Sequence, residues 1–366
     1  MRRTYRIEVL TPVHIFDRRA APWEAVPDAG RLWVLDEARL ARHLARAGLA
    51  RRWAAAALEP GFRPAAFLRP HGLWPPPAEP VRRVVPAGHL RGQVALALCG
   101  GTEDAPYVPG SSVKGNLRTA LLYRLLCRDA TLRERLEAKL KDTLREARGP
   151  RLRELRNKAG QDVDRLLERA RLSGAAHPDL HTDWLRAVRV GDAFPDEEAA
   201  TAVREIGVLS MTGGTDWRLK TPLYVETLPP GSVFRGRLDF DGQLLGWFEG
   251  EGEPPFRTVE DLMAALSEFA EAVLNAEIAW YRRAGEPSLA ERLESLRDRA
   301  NLRLGWGGGW EARSTGLAFS EDLRHLVRER FYPPRPGFPF PKSRKAVLEQ
   351  GRPADVLGWA RLELEG

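Results

Sequence analysis

The chain has 366 residues, 43% of them hydrophobic, with two cysteines and a formal net charge of +7. Its length and apolar content suit two packed domains and exclude a disordered chain, and so few cysteines exclude a disulfide scaffold. No apolar run reaches the ~18 residues of a membrane span, and residues Met1 to Leu10 lack the apolar core of a secretory signal, so the expected setting is a reduced cytoplasm with no membrane partner.

Alternation of Tyr5, Ile7 and Val9 with Arg6 and Glu8 predicts an opening strand. Residues 31–35 predict a second, and Asp36 is placed to cap a helix reaching about Leu49 whose arginines read as a solvated face. Prolines from Pro60 to Pro86 predict an extended surface connection, followed by a strand within residues 84–98. Cys99 and Cys127 lack metal-site spacing and read as core residues.

Leucines at helical intervals across the charged stretch 128–172, broken at Gly149-Pro150, predict an inserted helical hairpin, and residues 184–190 predict a strand. A domain boundary is expected between Pro195 and Glu205. Beyond it, residues 223–228 and 232–240 alternate around Pro229-Pro230-Gly231 and predict a hairpin. Apolar spacing then predicts helices over 259–281 and about 289–299, and residues 356–364 predict a closing strand.

Three stretches carry chemistry. In residues 106–122, Pro106 and Pro109 discourage helix, Gly110 frees a turn, and Ser111 or Ser112 is predicted to cap the helix that follows. Val113, Leu117 and Leu121 form its buried stripe, while Lys114 and Arg118 share another face near the positive helix end. Amides, hydroxyls and two cations there suit a phosphate, although the two cations also fit an ordinary solvated face.

The second stretch runs from Arg303 to Gly316. Gly305, Gly307, Gly308 and Gly309 permit close backbone approach, Trp306 and Trp310 offer stacking surfaces, and Arg303 and Arg313 offer phosphate forks. The alternative is a flexible hairpin whose tryptophans cover the core. The third is the segment in which Lys342, Arg344 and Lys345 follow a rigid proline run, either reaching phosphate or simply exposed.

Arginines outnumber lysines 50 to 7, which fits phosphate recognition or GC-rich coding equally. No P-loop or dinucleotide fingerprint is present, so no nucleotide cofactor is expected. His177 and His181 stand near Asp179 and Asp183, but Pro178 argues against a helix presenting them to a metal. His14 and Asp17 would suit acid–base cleavage of RNA, which leaves a metal-dependent or acid–base endoribonuclease as the competing reading.

Taken in order, residues 11–15 (Thr-Pro-Val-His-Ile), 107–119, 188–192, 224–231, 303–316, 341–344 and 357–364 resemble the RAMP superfamily of CRISPR proteins, most closely the type III-A (Csm complex) subunit that caps the 3′ end of the guide RNA. The resemblance implies an α+β fold of two ferredoxin-like (RRM-type) domains with antiparallel sheets. The first spans 1–200 with helical insertions at about 36–80 and 128–172, and the second spans 201–366 with the glycine loop 305–309. It further implies a non-catalytic crRNA-binding subunit in antiviral defence, working with complementary target RNA, the backbone RAMP subunit and the small subunit. Phe16-Asp17-Arg18-Arg19 departs from the glycine-containing turn usual after this opening motif, which keeps Asp17 in question.

Overall fold

The computed structural model describes residues 1–101, 104–149, 155, 165, 171–172, 182–197, 199–213, 216–249, 254–331 and 340–365. Two six-stranded sheets dominate it. In the first, Arg2–Val9 lies between Val233–Phe240 and Trp359–Glu365, both antiparallel to it, with Val188–Val190 and Leu302–Arg303 at the flanks. Tyr5 explains part of the register. Its ring lies where a Cβ on Gly236 would stand 2.4 Å away, and its hydroxyl donates to the Gly191 carbonyl at 2.6 Å.

The helices Gly110–Arg128 and Val259–Arg283 pack together on this sheet. Val113, Leu117 and Leu121 join Ile7, Leu262 and Phe269 in one apolar core, as the 3.6-residue spacing predicts. Thr258 and Asp261 form a reciprocal capping box at the start of the longer helix.

The second sheet runs in the order Arg352–Asp355, Ser343–Glu349, Ala202–Gly213, Asp216–Thr227, Val94–Ala97, Phe16–Arg19. Its pairings are antiparallel except that of Val94–Ala97 with Asp216–Thr227. Each sheet draws strands from both sides of residue 200. Among the described residues, no helix is long and apolar enough to cross a membrane.

The structure corrects several local expectations. The runs on either side of Pro229-Pro230-Gly231 do not pair: Asp216–Thr227 pairs with Ala202–Gly213 in the second sheet, while Val233–Phe240 pairs with Arg2–Val9 in the first. Alternation marks a half-buried strand but not its neighbour, so a turn between sheets looks like a hairpin turn in sequence. Residues Trp184–Ala187 form a 3₁₀ turn capped by the Asp183 carboxylate, leaving Val188–Val190 as the strand.

The proline segment holds the short helix Pro64–Leu68 and ends in the strand Val81–Pro86. That strand completes a three-stranded sheet with Ala25–Asp28 and Arg31–Leu35, over a small core of Leu35, Leu40, Leu44 and Leu68. Asp36 caps Glu37–Arg46 as expected, accepting from the Arg39 amide. Of the predicted hairpin at 128–172, the helix Ala130–Glu146 is seen and Arg171–Leu172 is a short strand paired with Phe248–Glu249, while residues 150–154, 156–164 and 166–170 lie outside the described residues. Cys127 is exposed and Cys99 half-buried, so neither belongs to the core; burial pushes the Cys99 thiol up to about 12.

Candidate nucleic-acid interface

The helix Gly110–Arg128 starts without help from its serines. Pro109 occupies the cap position with no side-chain bond, and the Gly110 amide instead donates to the Asp192 carboxylate at 2.8 Å. The cause is close packing: a Cβ on Gly110 would lie 2.2 Å from the Val190 carbonyl oxygen, so only glycine brings the helix start against residues 190–192. With the cap supplied by Asp192, Ser111 and Ser112 line an open cleft of about 440 Å³.

Asn116 and Thr119 continue that wall one and two turns on, a polar face distinct from the buried stripe. Their 112/116/119 spacing marks one helix face in the sequence, and Lys114 and Arg118 lie off that face. Those two cations do not line the cleft. Arg118 pairs with Asp183, and burial, assisted by Arg118 and opposed by Asp183, holds the half-buried Lys114 below the ordinary lysine value.

The opposite wall is the glycine loop, where Arg303, Gly305, Trp306, Gly308 and Arg313 face the cleft. Gly305 has φ +70, and a Cβ there would lie 2.3 Å from the His14 carbonyl oxygen, which accepts the Trp306 amide at 2.8 Å. The loop is thus seated on the end of the Thr11 to Ile15 motif. Gly307 and Gly309 also adopt left-handed backbone, at φ +110 and +70. Trp310 turns away, packing on Gly316 and against Phe340 at 4.9 Å.

His14 supports the loop from beneath. Its Nδ1 donates to the Glu226 carbonyl at 2.7 Å, and its ring meets Phe16 and Trp306 edge-on at 6.0 and 5.9 Å. Burial lowers its pKa. The Glu226 carboxylate, fully buried, accepts from Arg83 at 2.9 and 2.8 Å, from the Ala97 amide at 2.9 Å and from the Thr201 hydroxyl at 2.6 Å. Sequence reading missed Glu226, because its partners are distant in the chain.

The cations divide into two groups. Arg303, 7% exposed, donates to Glu277 at 3.2 Å and lies 5.2 Å over Trp359, whose indole donates to the same carboxylate at 3.1 Å. Arg344 is likewise buried, paired with Glu311 and stacked over Trp280. In contrast, Arg313 is exposed, its guanidinium donating to the Gly305 carbonyl at 3.0 Å, and Lys345 sits 4.6 Å over the Trp306 ring.

Burial holds Lys345 below the usual lysine value, and the neighbouring positive charges of Arg313, Arg303 and Arg344 reinforce that shift. Of these, Arg303 and Arg344 are paired with carboxylates, so Arg313 and Lys345 are the cations set beside the Trp306 ring. Lys342 is exposed nearby in the chain. Phe16, 51% exposed, supplies a second aromatic surface at the cleft.

Asp17 is ion-paired with Arg18. Among the described residues, no group of three or more histidine, cysteine or acidic side chains could hold a metal ion, and His177 and His181 lie outside those residues. The cleft therefore joins hydroxyls, an amide side chain, a planar guanidinium and two aromatic rings, a set that suits phosphate and base surfaces together.

Among curated proteins, none matches the sequence. Two solved structures are similar along nearly the whole chain. One is a chain of the cryo-EM structure of a Csm–crRNA–target RNA ternary complex in a type III-A CRISPR-Cas system, 22% identical, covering 99% of this chain and 100% of that one with a TM-score of 0.72. The other is the crystal structure of T. onnurineus Csm5, also 22% identical, covering 97% and 99% with a TM-score of 0.65. These likenesses establish the fold, with its antiparallel sheets and backing helices. A family model for the RAMP superfamily matches residues 90–312, a span holding both the serine-lined helix and the glycine loop, and the chain belongs to that superfamily.

Proposed function

We propose that this chain is a non-catalytic crRNA-binding subunit of a type III-A (Csm) effector complex, capping the 3′ end of the guide. The observation that carries the reading is the cleft itself. Two motifs nearly two hundred residues apart face one another across it, one giving hydroxyls and the other Trp306, Arg303 and Arg313. The similar chain from a Csm–crRNA–target RNA complex supports the same assignment.

In this reading Ser111, Ser112 and Arg313 contact the RNA backbone and Trp306 stacks on a base, with the loop glycines setting the approach. Lys345 adds positive charge behind Trp306 and Lys114 and Lys342 extend it along the surface, whereas Arg303, Arg344 and Arg118, each paired with a carboxylate, position the elements that carry the site. Backbone subunits of the complex and complementary target RNA are the proposed partners. Catalysis is assigned elsewhere, since of the two residues proposed for cleavage His14 is buried as a support for the loop and Asp17 is paired with Arg18.

The test is RNA affinity of the Trp306→Ala/Arg313→Ala protein, measured by fluorescence anisotropy against salt with labelled guide RNA. Losing one base stack weakens binding by about 1–3 kcal/mol, and losing one phosphate contact makes the salt slope shallower by about 0.7. Unchanged affinity and slope would overturn the assignment.

A further inference from the structure

A second groove adjoins the far end of the strand Phe16–Arg19 from the cleft. It has a volume of about 990 Å³ and is walled by the three-stranded insertion sheet, the short helix Pro64–Leu68 and the loop at residues 88–93. Four arginines line it, Arg31, Arg63, Arg69 and Arg91, against a single carboxylate, Asp28. All four are exposed, and among the described residues only Arg69 is drawn into an ion pair, with Asp28. The half-buried Phe62 adds a ring to the same wall.

The strand Phe16–Arg19 connects this groove to the cleft. It is the terminal strand of the second sheet, and among the described residues its outer edge has no partner strand. Phe16 lines the cleft and Ala20, the next residue after the strand, lines the groove. Four residue steps of extended chain separate them, about 13 Å at the usual rise. Arg18 and Arg19 are exposed along that edge, Arg18 paired with Asp17 and Glu24.

We infer that the groove is a second single-stranded RNA segment site, and that the Phe16–Arg19 strand carries the RNA between cleft and groove. Planar guanidiniums spaced along a channel beside an aromatic ring suit a phosphate backbone whose bases vary, and an excess of cations over carboxylates selects an anionic occupant. An acidic protein segment would meet the same charge. RNA is favoured because the groove continues from the cleft along a strand carrying an exposed ring and two exposed arginines. The inference rests on the cleft reading for the direction of the path.

The experiment uses the full chain and oligouridylates of ~4 and ~16 nucleotides, the range of site sizes for single-strand binding folds, the longer one carrying photoreactive uridines. In the wild-type protein, crosslinks are expected both around Trp306 and at residues 88–93. Substituting Arg31→Ala, Arg63→Ala and Arg91→Ala together should lower affinity for the longer oligomer about tenfold or more at ~0.1 M salt and reduce the salt slope by about 2, at ~0.7 per lost contact. Crosslinks around Trp306 should persist, and the corresponding triple lysine variant should keep the wild-type slope.

Unchanged affinity and slope in the alanine variant, or crosslinks confined to the cleft, would overturn the inference. So would polyglutamate binding the wild-type groove more tightly than the longer oligomer at equal charge, which would identify an acidic protein segment. Crosslinks at 88–93 with none around Trp306, and full binding by the Trp306→Ala/Arg313→Ala protein, would uphold the groove and sink the cleft reading instead.

Discussion

Arg303 and Arg344 illustrate how little a residue's type reveals about its task. Both stand in cationic stretches that read as phosphate contacts, yet each guanidinium is buried against a carboxylate and an indole. Removing one member of such a pair strands the other charge in a poorly solvated site. Arg303→Met should therefore cost about 3–5 kcal/mol in urea denaturation, with much of the loss restored when Glu277→Leu is added. If the double variant were no more stable than the single one, the pair would not be the main role of Arg303. Glu311 shows the same balance, since burial raises its pKa and Arg344 opposes the rise. Neither partner could be matched to its cation from sequence, because Glu277 lies on a long helix and Glu311 at the start of a 3₁₀ turn, and nothing local links either to its arginine.

At the level of elements, the serine-lined helix was legible in its extent and buried stripe but not in its cap. Proline, glycine and apolar spacing are local signals, whereas the Asp192 carboxylate reaches Gly110 only after strand 188–190 has joined its sheet. Two substitutions separate capping from packing. Asp192→Ala removes a cap worth about 1 kcal/mol. Gly110→Ala sets a methyl 2.2 Å from the Val190 carbonyl oxygen and must displace the helix start, so its loss of stability on denaturation should exceed that of Asp192→Ala. Equal losses would mean that the close approach does not constrain this helix. The glycine loop follows the same logic, since Gly305 is demanded by the His14 carbonyl within the protein as much as by any ligand.

Across the whole molecule, His14 links the glycine loop to the second sheet and, through Glu226, to the three-stranded sheet. Its carbonyl holds Trp306, its ring nitrogen donates to Glu226, and Glu226 in turn receives Arg83 from the strand Val81–Pro86. Burial depresses the imidazole pKa, so between the folded value and the unfolded one of about 6.5 the unfolded chain binds the extra proton. Stability supplied by neutral His14 is present above about pH 6.5 and drains away as the pH falls toward the depressed folded value. Thermal unfolding followed across this range should show His14→Gln with a lower plateau but a flatter acid limb. An acid limb as steep as that of the wild-type protein would assign the loss to other groups.

The sequence by itself determined the long helices Gly110–Arg128 and Val259–Arg283, four strands of the first sheet, the family and the two motifs that meet in the cleft, but not the second-sheet strands Ala202–Gly213 and Ser343–Glu349. Apolar period, capping residues and glycine or proline punctuation act within a few residues, so they survive in linear form. Only the tertiary structure decided which strands pair, why Pro229 to Gly231 crosses between sheets, which cations are internal, and that Ser112, Asn116 and Thr119 face the glycine loop. Those outcomes depend on partners far apart in the chain. Strand alternation, or the mere presence of an arginine, is compatible with several such partners until the core has closed.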